Sequence, residues 1–543
     1  MLELERRGWK LGFYTTDSQE RRAIARCIGD IPGVKPRGKR ATFAAEPRLL
    51  ELLLRQAPDI ELSDDAREWY ENRLQEEAQR AKLLDRGDAD IDYAYANKLR
   101  PYQRVGAAFL AKAGRSILAD ECGLGKTVQA IAAVEMTPRP NKILIVCPNP
   151  LKLFWKSEIE NWSTLDLSAT IVNSPTRESN FTDYREKGGG WLIINYAQVY
   201  RTDALQEWMW DWVILDEAHS IKNRKTDTFQ ALKRLEYRRC ALLTGTPMGN
   251  DPAELWAPLN FLDSKHFSSY WRFYEMFVDY WEDYWGSRDV LGVRNNDLLR
   301  KELASRVVQR KKDEVSDELP PKTYQTIPLE LTELQRGLYS KMANEMLLEL
   351  EDGGTIEAVN AMSKLIRLRQ IVATPAVFGF ENRSSKLDQV MNLVEKHDKL
   401  VVFTEFRATV NALSARLEEE GIKHEAVLGG MGDEAVDAAV ERFQTDAACR
   451  VFVSTRATGG TGLTLTAAYV LVFVSKPWSA AQFSQACDRV HRISQDNKVL
   501  IITLHCPGTV DDVVERILDK KLSMNQEVLA KALIEELKPW IGS

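Results

Sequence analysis

The sequence predicts an α/β fold of two parallel-sheet lobes in tandem, with helical protrusions between them and a small N-terminal α/β module ahead of them. Three observations carry this expectation. Short apolar runs alternate with helical segments over two separate stretches, the pattern of parallel sheets whose crossovers are helices. Each apolar run ends in polar, Gly or Pro residues, at the strand ends where such sheets gather ligands. The 543 residues also exceed what one hydrophobic core normally organises.

In the first lobe, residues 96–262, the strand candidates are Ser116–Asp120, Lys142–Pro148, Trp191–Tyr196, Trp212–Asp216 and Cys240–Thr244. In the second, residues 346–525, they are Lys399–Phe406, Ile422–Leu428, Arg450–Ser454, Tyr469–Ser475 and Val499–His505. Residues 263–345 read as helical protrusion and linker, and 526–543 as a C-terminal helical brace. The aromatic run HFSSYWRFYEMFVDYWEDYWGS is expected to pack between antiparallel helices rather than to stack on bases. Residues 1–95 form the accessory module, with strands at Trp9–Thr15 and Arg40–Ala44, a helix at Ser18–Ile28, another from Pro47, and a charged helix at Asp64–Leu84. Its basic loop, Lys35, Arg37, Lys39 and Arg40, is a solvated turn or a nucleic-acid contact.

Composition narrows the class. A net charge of −6, from 73 basic and 79 acidic residues, argues against a protein that coats nucleic acid wholesale but leaves room for a local basic groove. No apolar run reaches the roughly 18 residues of a membrane helix, and the N-terminus lacks a secretory pattern, so no membrane partner and a cytoplasmic location, in a bacterial or a virus-infected host cell, are expected. Seven scattered cysteines without a C-x-x-C pair suggest reduced, mostly buried thiols.

The chemistry concentrates at three places. In SILADECGLGKT, residues 116–127, an apolar strand runs into a glycine-bearing loop and a helix opening at Lys126. Gly123 and Gly125 let backbone N–H groups approach phosphate oxygens, Lys126 supplies a cation, and Thr127 suits Mg²⁺. Asp120 stands where the generic loop has its first glycine, and Glu121, Cys122 and Leu124 complete the candidate nucleotide-binding stretch. In DWVILDEAH, residues 211–219, two carboxylates end an apolar strand, where burial without a cation is costly. Asp216 is expected to hold Mg²⁺, directly or through water, and Glu217 to orient and deprotonate the attacking water. In QACDRVHRISQ, residues 485–495, Arg489 and Arg492 are expected at i, i+3 on one helix face, supplying positive charge to a transferring γ phosphate.

These motifs, in this order, resemble the SWI/SNF-related (Snf-two type) superfamily-two helicase-like ATPases over residues 97–525. LRPYQ (99–103) is similar to the family's adenine-reading motif, DECGLGKT to its phosphate loop, LTGTP (243–247) to the motif linking hydrolysis to DNA contact, and RKKDEVSDELPPK (310–322) to its linker. LRQIVATP (368–375), VVFTEF (401–406), STRATGGTGLTLT (454–466) and PWSAAQFSQACDRVHRISQ (477–495) continue the series. Thr464 replaces a common Asn and Ser475 a common acidic residue, while GLTLTAA resembles the fork-remodelling (annealing-helicase) branch.

The resemblance implies two RecA-like lobes with ATP and Mg²⁺ bound between them. Gln103, whose amide offers donor and acceptor to adenine, Gln485 and the phosphate-loop residues would hold the nucleotide, and Arg489 and Arg492 would complete the site on closure. DNA, double-stranded or forked, would be met through its phosphates near Thr246, Thr404 and Thr458 by a protein acting as a monomer. An ATP-dependent duplex translocase is therefore expected. A strand-separating helicase is the alternative within the class, and a non-catalytic DNA-binding scaffold the alternative outside it.

Overall fold

The computed structural model describes residues 87–520 apart from 174–175, 246–250, 283–287, 316–320, 352–357, 457–462, 493–494 and 496, together with 2–4, 10–14, 40–44, 50, 54 and 61–84. The chain divides into two compact units, one of residues 1–121 and 125–311, the other of 122–124 and 312–543.

At the N-terminus, strands β1 (Leu2–Leu4), β2 (Lys10–Tyr14) and β3 (Arg40–Ala44) form an antiparallel sheet in that order. Two of the expected strands are present there. The expected helices at Ser18–Ile28 and from Pro47, and the loop cations Lys35, Arg37 and Lys39, lie outside the described residues. The charged helix Asp64–Leu84 ends with Leu83 and Leu84 packed against Ala89, Ile91, Leu99 and Val105. That helix is therefore joined to the first lobe.

The first lobe's sheet comprises β4 (Arg115–Leu118), β5 (Lys142–Cys147), β6 (Ala169–Ile171), β7 (Gly190–Asn195), β8 (Met209–Asp216) and β9 (Glu236–Leu243). Beyond it, β10 (Val278–Glu282) and β11 (Arg288–Val293) form an antiparallel hairpin, and β12 (Val307–Val308) returns to the sheet edge. The order is β12-β4-β9-β8-β5-β7-β6, with every pairing parallel. Runs such as KILIVC and GWLIIN are buried on both faces, as a parallel sheet covered by helices requires. One face carries Leu144, Val146, Val213 and Leu215, the other Ile143, Ile145, Trp212 and Ile214. At roughly 1.5–3 kcal/mol for each such side chain fully buried, these two layers are the main stabilising contribution.

The register fixes where chemistry occurs. Leu118 pairs with Leu243, and Leu243 with Asp216, so β4, β9 and β8 end level with one another. The phosphate loop, Thr244 and the Asp216–Glu217 pair therefore leave the same edge of the sheet.

The second lobe holds β13 (Lys322–Pro328), β14 (Leu400–Thr404), β15 (His424–Val427), β16 (Val451–Thr455), β17 (Val470–Phe473) and β18 (Val499–His505), parallel throughout in the order β13-β18-β17-β14-β16-β15.

Two features of residues 263–345 differ from the helical expectation. VDYWE and RDVLGV pair as the β10–β11 hairpin, and β12 and β13 are edge strands of the two sheets. Edge strands lack a continuous apolar run: in β13, KTYQTIP, five of seven residues are exposed. The aromatic run packs largely as expected, with Phe267, Phe273 and Phe277 in the core, but against sheet and hairpin as well as helix, and Trp271 and Trp281 stay more than half exposed at 55% and 58%.

Candidate active site

The phosphate loop begins where β4 ends. Gly123 and Gly125 adopt left-handed conformations, φ +89° and +73°, which a side chain would strain. A Cβ on Gly125 would also lie 2.4 Å from the Gln103 amide nitrogen, so this position has no room for one. The helix Lys126–Glu135 that follows carries no side-chain cap at its N-terminus. Its first N–H groups and its dipole accordingly suit an anion, as phosphate requires. Lys126 Nζ folds over the loop and donates to the Asp120 carbonyl at 2.8 Å. Thr127 sits half-buried in the first turn of the same helix.

Gln103 is buried in the first turn of the helix Pro101–Ala113, where its Oε1 accepts from the Arg100 N–H at 2.9 Å. Its amide therefore reads as part of the loop's cradle, with the nitrogen facing Gly125. Asp120 departs from the ligand role expected of it. The side chain is fully buried and bound by the Arg310 guanidinium, at 2.9 Å to Oδ1 and 2.6 Å to Oδ2, so it anchors the loop from behind.

At the end of β8, Asp216 is buried and held on both oxygens: Trp155 Nε1 donates to Oδ2 at 2.8 Å and the Glu217 N–H to Oδ1 at 2.9 Å. Tyr196 donates to its carbonyl at 2.7 Å. Burial, reinforced by the neighbouring Glu217 carboxylate, pushes the Asp216 carboxyl up to about 6, against the opposing effects of the Trp155 hydrogen bond and the Lys126 charge. A buried carboxylate beside a second one, with Lys126 as the opposing charge, is an environment that a divalent cation would satisfy. Glu217 adopts φ +49°, a left-handed conformation uncommon for a residue with a Cβ, and its Oε2 lies 3.3 Å from His219 Nδ1. Local strain at a candidate catalytic residue is a recurring device for holding a side chain in a working direction.

In the second unit, the helix Ala480–Cys487 carries a half-buried Gln485 but stops before the arginines. Arg489 and Arg492 lie in the turns that follow, not on one helix face as expected. Just beyond the helix the Asp488 carboxylate accepts from Lys312 Nζ at 2.6 Å and Lys322 Nζ at 2.9 Å, while Lys312 also donates to the His491 carbonyl at 3.0 Å. Arg489 is buried and its Nε has no hydrogen-bond partner among the described residues. Arg492 donates to the Thr464 hydroxyl at 2.5 Å, so the residue that replaces a common Asn touches an arginine of the motif.

Of the three threonines expected to meet DNA, Thr246 and Thr458 lie outside the described residues. Thr404 ends β14 with 1% exposure, and its hydroxyl accepts from the Phe406 N–H at 3.4 Å. In this arrangement that side chain shapes a strand-end turn and presents no hydroxyl to a ligand. Trp155 and Arg310 were missed as site residues: their sequence neighbourhoods carry no local signal for partners 61 and 190 residues away.

Comparison with known proteins places this geometry. The SNF2-related domain matches residues 102–377 and the helicase conserved C-terminal domain residues 384–494. The chain is 28% identical over 468 residues to the uncharacterized ATP-dependent helicase MG018 of Mycoplasma genitalium, covering 82% of this chain and 43% of that protein. It is 29% identical over 447 residues to the human DNA annealing helicase and endonuclease ZRANB3, covering 80% and 40%. It is 26% identical over 491 residues to the human SWI/SNF-related matrix-associated actin-dependent regulator of chromatin subfamily A member 1, covering 84% and 46%. The chain thus spans less than half the length of each of these relatives. With one family domain covering just over half of its residues and the partner domain following in order, the chain belongs to the SNF2-related family.

Proposed function

We propose that this protein is a DNA-dependent ATPase that translocates along double-stranded or forked DNA and remodels DNA structures or protein–DNA complexes. One observation carries the reading: a strained Glu217 and a buried Asp216 stand at the same sheet edge as a glycine loop that leads into a helix N-terminus without a side-chain cap, with Lys126 folded over the loop.

In this reading the loop amides from Gly123 to Thr127 and the Lys126 ammonium bind the nucleotide's phosphates, and Lys126 gives up its loop carbonyl to do so. Thr127 and Asp216 would hold Mg²⁺, which would supply charge neutralisation on the phosphate oxygens. Glu217 orients a water and accepts its proton as the γ phosphate leaves. Arg489 and Arg492 supply positive charge to the negative charge that develops on the γ phosphate.

Duplex tracking is favoured over strand separation by the resemblance of RKKDEVSDELPPK (310–322) and DRVHRISQ (488–495) to the linker and arginine motif of the Snf-type translocases. The distinguishing experiment offers the protein two substrates with ATP: a fluorescent third strand paired to a duplex, and a forked duplex with a labelled strand. Displacement of the third strand without release from the fork is expected. Strand release from the fork at a comparable rate would instead identify a strand-separating helicase.

A further inference from the structure

The linker segment Arg310–Lys312 carries two buried ion pairs that the catalytic roles above do not use. Arg310, in the first unit, grips Asp120 with two parallel hydrogen bonds, donates to Gln129 Oε1 at 2.9 Å and to the Tyr102 carbonyl, and lies 5.3 Å from the Tyr102 ring centre. Gln129 Nε2 closes the network by donating to Asp120 Oδ2 at 3.2 Å. Room for it comes from Gly106, where a Cβ would lie 1.8 Å from Gln129 Oε1 and 2.7 Å from an Arg310 nitrogen. Three parts of the candidate site therefore meet one guanidinium: the helix carrying Gln103, the start of the phosphate loop, and the helix opening at Lys126. Two residues on, Lys312 belongs to the second unit and is 3% exposed; it binds Asp488, itself 2% exposed, and the His491 carbonyl, and so holds the turns that bear Arg489 and Arg492.

We propose that Arg310 and Lys312 are positioning residues for ATP turnover, Arg310 setting the phosphate loop and Lys312 setting the arginine turns, so that a strap one residue wide ties the two catalytic half-sites to a common stretch of backbone. The proposal rests on the ATPase reading above. A fully extended chain spans only about 3.3–3.6 Å per residue, so displacement of one anchor is either absorbed in the dihedrals of Lys311 or passed to the other. A bidentate arginine fixes direction as well as charge, which a lysine cannot reproduce. Removing Arg310 leaves the buried Asp120 carboxylate without its counter-charge, whereas removing both partners does not; Asp488 keeps Lys322 in K312M, so that variant isolates the loss of Lys312's own contacts.

The test uses the full chain, with fluorescent-nucleotide titration and steady-state ATP hydrolysis in duplex DNA for wild type, R310M, R310K, D120N, D120N/R310M and K312M, all compared in the folded fraction. R310M is expected to weaken nucleotide binding roughly tenfold, with the D120N/R310M double variant less impaired than R310M alone. R310K should recover only part of the loss. K312M should lower kcat while leaving KM for ATP near the wild-type value. If R310M does not fold, R310K and D120N carry the same comparison. Wild-type kcat and KM in R310K, D120N and K312M, with only thermal stability reduced, would make these pairs structural and overturn the proposal. Wild-type protein that binds no ATP would overturn the ATPase reading itself.

Discussion

At the scale of single residues, Glu217 and Asp216 divide the work because their surroundings differ. Asp216 is buried and held by an indole and an amide, which leaves it suited to a cation, while Glu217 leaves a strained backbone with its carboxylate 3.3 Å from His219 Nδ1. Glu217→Gln should lower ATP turnover by about two to four orders of magnitude, the range for losing a general base, while nucleotide binding stays at the wild-type level. Parallel hydrolysis and nucleotide-titration assays check this, and wild-type turnover would remove Glu217 from the catalytic role. The cysteines give a second residue-level prediction. Burial pushes the Cys240 thiol up to about 12 and Cys506 up to about 11, from an ordinary value of 9.0. A raised folded-state value means that folding favours the protonated form, so this contribution to stability is complete below pH 9 and is lost as pH rises toward 11 and 12. Denaturant titrations should accordingly show stability falling above pH 9, with Cys240 and Cys506 unreactive to a thiol reagent at pH 8 until the protein unfolds. Rapid native labelling of either would contradict their burial. The two carboxylates were legible in the sequence because a buried apolar strand that ends in adjacent acids sets both charges at the sheet edge, where ligands gather. The destination of Asp120 was not, because an ion pair across 190 positions leaves no periodic trace.

At the scale of elements, the sequence announced the central strands and the edge strand β15 but concealed the edge strands β6, β12 and β13. Strands such as KILIVC and LVVFT are buried on both faces and so appear as continuous apolar runs. β12 and β13 meet water on one side, and KTYQTIP carries no run for the eye to find. The arginine motif differs in another way: Asp, Val and His in DRVHR are poor helix formers, the helix ends at Cys487, and Lys312 and Lys322 hold Asp488 in ion pairs just beyond it. Close packing between helices also makes Gly106 intolerant of substitution. Gly106→Ala should destabilise the protein by about 1–3 kcal/mol, the scale of overpacking a tight site, despite alanine's better helix propensity. Chemical denaturation measures it, and a stabilised variant would show that Gln129 and Arg310 give way freely.

At the scale of the whole molecule, two parallel sheets carry the candidate site residues, from strand ends in the first lobe and from turns after a helix in the second, and a short linker segment is anchored in ion pairs on both sides. The modest net charge of −6 fits a protein that grips phosphates locally and briefly rather than by a broad cationic surface. A translocase of the proposed kind would hydrolyse ATP faster when nucleic acid is bound. The most direct test of this account is the steady-state rate of ATP hydrolysis by the purified chain, measured without DNA, with single-stranded DNA and with duplex DNA at one fixed salt concentration. The account predicts low hydrolysis without DNA, the largest stimulation by duplex, and loss of that stimulation in Glu217→Gln. Hydrolysis that duplex DNA leaves unchanged, or that only single strands raise, would contradict it.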